Sequence, residues 1–141
     1  MFIYNKNIYK ERGIIMKQST VKVLDEKDLE IIEALRSVDV PRNEATLITF
    51  LANMDEASTS REIEMATDLR QPEVSIAMRT LRNNNWVKER EVKTEGKGRP
   101  MKIYTLSVPI EEIIKHYEDM KTSATARTMQ AIQRLKEITA T

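Results

Sequence analysis

Cysteine is absent, histidine occurs once (His116), and the 141 residues include only three glycines and four prolines. Without cysteine there can be no disulfide, no thiolate zinc site and no thiol redox sensor, which fits a reducing, cytoplasmic setting. A single histidine and the lack of a phosphate-cradling glycine-rich loop remove the common metal and nucleotide motifs. No pair of carboxylates stands in a recognisable catalytic spacing. The expectation is therefore a protein that is not an enzyme and that needs no metal and no cofactor. Long apolar runs are missing too: none approaches the roughly 20 residues that cross a bilayer, and no signal-peptide pattern is present, so no membrane partner is expected.

Net charge is likewise nearly absent, at +1, but its distribution is uneven. Between positions 70 and 102 there are nine Lys or Arg against four Glu, a net of +5, which leaves −4 for the remainder. A basic segment within a near-neutral chain is the footprint expected of a nucleic-acid contact surface, because neutralising phosphates supplies most non-specific affinity. The chain is 40% hydrophobic and 32% charged, enough for one domain with a proper core and an appended helix.

Residues 1–15 scatter Phe2, Ile3, Tyr4, Ile8 and Tyr9 among Asn and Lys with no trustworthy period. The composition changes at Met16: either Met16 is the functional start or the preceding segment is a loosely ordered arm, and residues 1–22 are expected to be poorly ordered. The first clear helix covers residues 25–37. Acids at Asp25, Glu26 and Asp28 suit its positive end, and Leu24, Ile31, Leu35 and Val38 follow the helical spacing with Asp28 interrupting and Ile32 adding width. Pro41 opens a second helix reaching about Met54, with Ala45, Ile48, Leu51 and Ala52 expected inward. Ser58 and Thr59 read as a strand-like pair. Thr59-Ser60-Arg61-Glu62 then fits a capping box that starts a short helix over residues 60–67, burying Ile63 and Ala66.

Only Asp68 and Leu69 separate that helix from the next, and two helices joined so tightly must cross steeply, as a helix-turn-helix. Pro72 belongs in a first helical turn, which places the second start at Arg70 or Gln71. Val74, Met78 and Leu81 share the inward face, while Gln71, Ser75, Arg79 and Arg82 are expected on the opposite one. Arg and Gln can donate paired hydrogen bonds to base edges and Ser adapts to several partners. The candidate contact set on this helix is Arg70, Gln71, Pro72, Ser75, Arg79 and Arg82. Two strand-like runs follow, residues 86–92 and 101–106, joined by a stretch with two of the three glycines and three basic residues. The candidate contact set on this hairpin is Lys93, Lys97, Gly98, Arg99 and Lys102.

From Ser107 onward the chain reads as one long helix. Ser107 suits its cap, Pro109 its first turn, and Glu111 and Glu112 its N-terminus. Ile113, Tyr117, Met120 and Ala124 form a seam of coiled-coil type. Strict continuation would bring Arg127 and Arg134 into it, and the better stripe shifts to Thr128, Ala131, Ile132, Leu135 and Ile138, implying drift, a kink near Ser123, or several partners. The candidate dimerisation set is Ile113, Tyr117, Met120, Ala124, Ile132, Leu135 and Ile138, with a second copy as the partner. His116 reads as a rim residue of that seam, and Met54, Met65, Met78, Met120 and Met129 read as core filling.

The order of these elements resembles a winged helix-turn-helix. Arg42-Asn43-Glu44-Ala45, Ser60-Arg61-Glu62-Ile63, Leu69-Arg70-Gln71-Pro72-Glu73-Val74-Ser75, Leu81, Trp86-Val87 and Gly98-Arg99-Pro100 with Ile103-Tyr104 are similar to the DNA-binding part of archaeal TrmB and bacterial MarR transcriptional regulators. The likeness covers residues 39–106, about half the chain. It implies a recognition helix from Arg70 and a wing at the Gly-Arg-Pro hairpin. Where those families carry glycine, this chain has Asp68 and Asn85, the residues that best tolerate the left-handed bends required there. Glu73 either stabilises the helix start or accepts from a cytosine amino group. Lys97-Gly98-Arg99-Pro100 is also similar to the core of AT-hooks, which lie in narrow minor grooves, so the wing is expected at the minor groove or on phosphates.

The expected architecture is mainly α with a small β-hairpin wing: a winged-helix domain over residues 23–106 and a dimerisation helix over residues 107–141. The expected function is sequence-specific double-stranded DNA binding as a homodimeric transcriptional regulator. The rival reading is a winged helix used for protein–protein contact in a transcription or replication assembly. Operator, regulated genes, activation or repression, and any small-molecule effector are not written in these motifs.

Overall fold

A computed structural model describes residues 24–93, 98 and 100–140. The expected arm therefore falls outside the described residues, as do Lys97 and Arg99. The elements in chain order are α1 (Glu26–Ser37), α2 (Arg42–Ala52), β1 (Ser58–Thr59), α3 (Ser60–Thr67), α4 (Gln71–Asn83), β2 (Val87–Val92), β3 (Met101–Leu106) and α5 (Ile110–Thr139). The fold is a winged helix-turn-helix: mainly helical, with a small antiparallel sheet and a long C-terminal helix.

The core is organised around α2. Residues 45–51 are buried in succession, and Leu47, Ile48 and Phe50 have no exposed surface. A helix buried on every side is an interior element, and α1, α3 and α4 pack around it. Ala52, expected inward, is exposed, because the helix ends there and the chain turns out through Asn53. On α1 the inward line is Asp28, Ile32 and Leu35, with Ile31 only half-buried.

Asp28, the acid that interrupts the α1 stripe, is buried for a reason. Its carboxylate accepts from the Asp25 N–H (3.0 Å) and from Asn53 Nδ2 (2.7 Å), while Asp25 Oδ1 accepts from the Asp28 N–H (2.9 Å). One side chain thus closes the α1 capping box and ties the start of α1 to the end of α2. A buried carboxylate is tolerated only when its lone pairs are met in this way.

The capping box on α3 forms as its sequence predicts. Glu62 N–H donates to Thr59 Oγ1 (3.1 Å) and Thr59 N–H donates to Glu62 Oε1 (3.2 Å). Ile63 is fully buried and Ala66 half-buried. Asp68 (φ 60°) and Asn85 (φ 63°) take the left-handed conformation expected of them, and Asp39 (φ 74°) does the same between α1 and α2. Each sits where the chain leaves a helix and must reverse its twist.

The sheet order is β1-β3-β2, all antiparallel. Ser58 pairs with Tyr104 and Thr59 with Ile103, so the two-residue strand before α3 anchors the inner edge of the hairpin. Six residue pairs join β2 to β3, from Val87 with Leu106 to Val92 with Met101.

Residues Met1–Pro109 and Ile110–Thr141 are separate compact units. In the second, α5 runs without a break for 30 residues, about 45 Å at 1.5 Å per residue. One expectation changes here, and one of three alternatives, the kink near Ser123, drops out. Ser107 does not cap it: its hydroxyl donates to the Asn85 carbonyl (3.0 Å) and its N–H to the Trp86 carbonyl (2.8 Å), and the helix begins at Ile110, one residue after Pro109. Ser123 lies inside a continuous helix rather than at a break. The methionines also divide: Met78 is core, whereas Met65, Met120 and Met129 are each more than half exposed.

Candidate functional site

Helix α4 starts where Pro72 predicts. Arg70 is its cap residue, and the Arg70 N–H donates to Glu73 Oε1 (3.0 Å), so Glu73 serves the helix N-terminus. Val74, Ala77, Met78 and Leu81 turn inward and are buried. This inward face fixes which residues look out. Gln71, Pro72, Arg79 and Arg82 are exposed and Ser75 is half-buried. Gln71 Nε2 donates to Ser75 Oγ (2.9 Å), four residues on, which lines both side chains along one edge of the helix.

At 100° per residue, the centre of the outward face is not the Gln71–Ser75–Arg82 line but the neighbouring one through Pro72, Ile76 and Arg79. Ile76 is 65% exposed there, an apolar side chain in the middle of a polar face. An isoleucine in an amphipathic helix is ordinarily an inward residue, so its type alone does not mark it as a contact. Its angular distance from Val74 and Leu81, matched among the candidate contacts by Arg79 and exceeded only by Pro72, is the signal available.

Arg82 stands apart from the other candidates. Its guanidinium reaches Glu89 Oε2 on β2 (2.9 Å), and Lys102 Nζ on β3 lies 3.9 Å from the same carboxylate oxygen. Glu89 is opposite Tyr104 in the ladder, and the Tyr104 hydroxyl interacts with both Glu89 and Ser60. Burial first, then the Glu89 carboxylate, raises the Tyr104 pKa above 10.0, with Ser60 and Arg82 opposing. These groups join the end of α4, both hairpin strands and the start of α3. Arg79, Arg70 and Arg42 make no such ion pair among the described residues.

An open groove of about 340 Å³ runs between the start of α2 and α4, lined by Pro41, Arg42, Asn43, Glu44, Glu73, Ile76 and Ala77. It places exposed Arg42 beside the outward face of α4, a cation the candidate set omitted. Glu44, half-buried at the same place, has its carboxyl pKa raised above 4.5 by desolvation. On the hairpin, Lys93, Gly98 and Lys102 are exposed, and so are Lys88 and Arg90 on the adjoining strand. Val92 and Met101, a directly opposed pair, leave about two-fifths of their surface open just before the connection.

The α5 candidates fall into two groups. Ile113 is buried, and Tyr117 and Ala124 are half-buried. Met120, Ile132, Leu135 and Ile138 are exposed. His116 is exposed, with its ring edge-on to Tyr117 at a centroid distance of 5.3 Å. Among the described residues no group of three or more His, Cys, Asp or Glu could hold a metal ion, and no helix is long and apolar enough to cross a membrane.

Comparison with solved structures finds similar chains. A protein described as a possible transcriptional regulator from Methanosarcina mazei Go1 superposes with a TM-score of 0.57 at 14% identity, over 75% of this chain and 87% of that one. A MarR family regulator from Neisseria meningitidis gives a TM-score of 0.46 at 17% identity, over 78% of this chain and 83% of that one. The transcription regulator of a multidrug efflux pump of Staphylococcus aureus gives 0.45 at 14% identity, over 82% and 89%. No protein-family model matches the chain, and no curated protein is significantly similar to it.

Proposed function

We propose that this chain is a sequence-specific double-stranded DNA-binding transcriptional regulator that acts as a homodimer through α5. The observation that carries the reading is the outward face of α4: Gln71, Ser75, Ile76 and Arg79 project from one helix, and its one acid, Glu73, is turned to the cap. A helix of this diameter fits the major groove, where Arg79 can donate two bonds to guanine and Ile76 can meet a thymine methyl group. Arg42 and Arg70 border that face and suit the flanking phosphates. Lys93, Lys97, Arg99 and Lys102 would grip phosphates or enter the minor groove from the wing. Arg82, held by Glu89, would orient the wing against α4 in place of reading a base.

The exposed Ile76 also favours the rival reading, since apolar residues on an otherwise polar helix serve protein contacts. Replacing thymine by deoxyuridine in a selected duplex separates the two. The DNA reading predicts that one such replacement weakens the parent protein severalfold and leaves Ile76→Ala unaffected.

The division between helix and wing is tested by titrating Arg79→Ala and Arg99→Ala against selected and random duplex at several salt concentrations. Arg79→Ala should lose about 1–3 kcal/mol on selected duplex and much less on random duplex. Arg99→Ala should weaken both and flatten the salt dependence by about one counterion. If Arg79→Ala keeps parental affinity for the selected duplex but loses a protein partner, the protein-contact reading replaces this one.

A further inference from the structure

The apolar stripe of α5 is symmetric about its own midpoint. Counting outward from Ala124, the stripe positions fall four and seven residues away in both directions: Met120 with Thr128, and Tyr117 with Ala131. They recur at eleven and fourteen residues: Ile113 with Leu135, and Ile110 with Ile138. The step of four on each side of Ala124 keeps Arg127 off the face, and it lets one unbroken helix hold a single stripe without the kink that a strict seven-residue repeat demands.

We propose that α5 pairs with α5 of a second copy in antiparallel orientation, crossing at Ala124. This deepens the homodimer reading above and rests on it. Size complementarity supports it. Antiparallel pairing sets Tyr117 against Ala131 and Met120 against Thr128, large against small at each level, as interdigitated packing requires. Parallel pairing sets Tyr117 against Tyr117 and leaves a gap at Ala131. At the midpoint, residues 122–126 are Thr-Ser-Ala-Thr-Ala, small enough for two helices to approach closely.

Charge supports the same orientation. From Glu111 to Lys121 there are four acids and two bases, net −2; from residue 122 to the end there are three bases and one acid, net +2. Antiparallel copies place each acidic half beside a basic one. Parallel copies place like beside like. Flanking charges of this kind set orientation in paired helices. At the level of Leu135 the second copy carries Ile113, already buried in the single chain, with Ile114 beside it; Ile114 and Leu135 are both substantially exposed.

Because the chain lacks cysteine, introduced thiols are the only ones present. Ala124→Cys should oxidise to a disulfide-linked dimer. Tyr117→Cys alone and Ala131→Cys alone should not, because each thiol would lie 14 residues, about 21 Å, from its copy. Mixing the two and allowing subunits to exchange should yield the linked heterodimer on a non-reducing gel. Linked homodimers of Tyr117→Cys alone would overturn the antiparallel orientation and leave the dimer reading standing. Sedimentation of the parent protein is the parallel measurement: a monomer removes the homodimer reading itself, and a dimer with no linkage in any variant moves the interface off α5. A variant that fails to fold is replaced by the neighbouring pair, Met120→Cys and Thr128→Cys, judged by the same criteria.

Discussion

Seven successive residues of α2 are buried, whereas α5, nearly three times as long, buries only Ile113. Both helices carry regularly spaced apolar side chains, yet the first satisfies them inside the chain and the second leaves Met120, Leu135 and Ile138 open. The difference separates two sources of order. A helix such as α2 is stabilised by tertiary packing, while a 30-residue helix with an exposed stripe draws stability from local propensity and from whatever covers it. The unit around α2 should therefore respond to core changes, and α5 should respond to protein concentration.

The largest expected effect follows from α2. Phe50→Ala should destabilise the winged-helix unit by about 3–5 kcal/mol, read by denaturant unfolding, because it empties the centre of a packed core. If the loss is under about 1 kcal/mol, α2 is not the organising element. Next, Met120→Asp combined with Leu135→Asp should give a monomer by sedimentation, each uncompensated charge costing the pairing about 1–3 kcal/mol. The unfolding of the unit around α2 should stay nearly unchanged at matched low concentration. A dimer that survives both substitutions places the interface on another surface, with α1 the next to test.

Smaller effects sharpen the comparison inside the winged-helix unit. Asp28→Ala should cost about 1–2 kcal/mol, since it removes the α1 capping box and leaves Asn53 without its acceptor. Asn53→Ala should cost less, because the box remains. Equal losses would mean that the cap contributes nothing. The smallest effect concerns Glu44. Desolvation raises its folded pKa above 4.5, so the folded form binds a proton more readily than the unfolded one, and stability falls as pH rises through that interval. Glu44→Gln should therefore stabilise the protein at neutral pH, and the gain should vanish once the pH drops below the carboxyl range. A gain that persists in acid would point to packing in place of charge.

Much of this fold is legible in the sequence because it rests on local chemistry. Thr59 and Glu62 mark the start of α3, Pro72 marks the start of α4, and Asp68 and Asn85 stand at the two left-handed bends. What escapes the sequence depends on contacts between distant residues. Asp28 reads as a flaw in a stripe until Asn53, 25 positions away, supplies its donor. Arg82 reads as one more cation on a contact face until α4 packs on β2 and brings Glu89 within 2.9 Å. Ile76 is hard to read for the opposite reason: helical angle alone places it outward, but its chemistry suggests the core. The symmetry of α5 is also written in the spacing, and it emerges only once the helix is continuous through Ser123.

Under the proposed function, α4 reads DNA sequence. The most direct measurement takes the full chain through selection from a random duplex pool and then titrates it against the selected and the unselected duplex at physiological salt. Sequence-specific regulators bind their own sites about 10³-fold or more tighter than random duplex, and that ratio is the result expected here. Binding to every duplex with nearly the same affinity, or to none while the protein remains folded, would contradict the account.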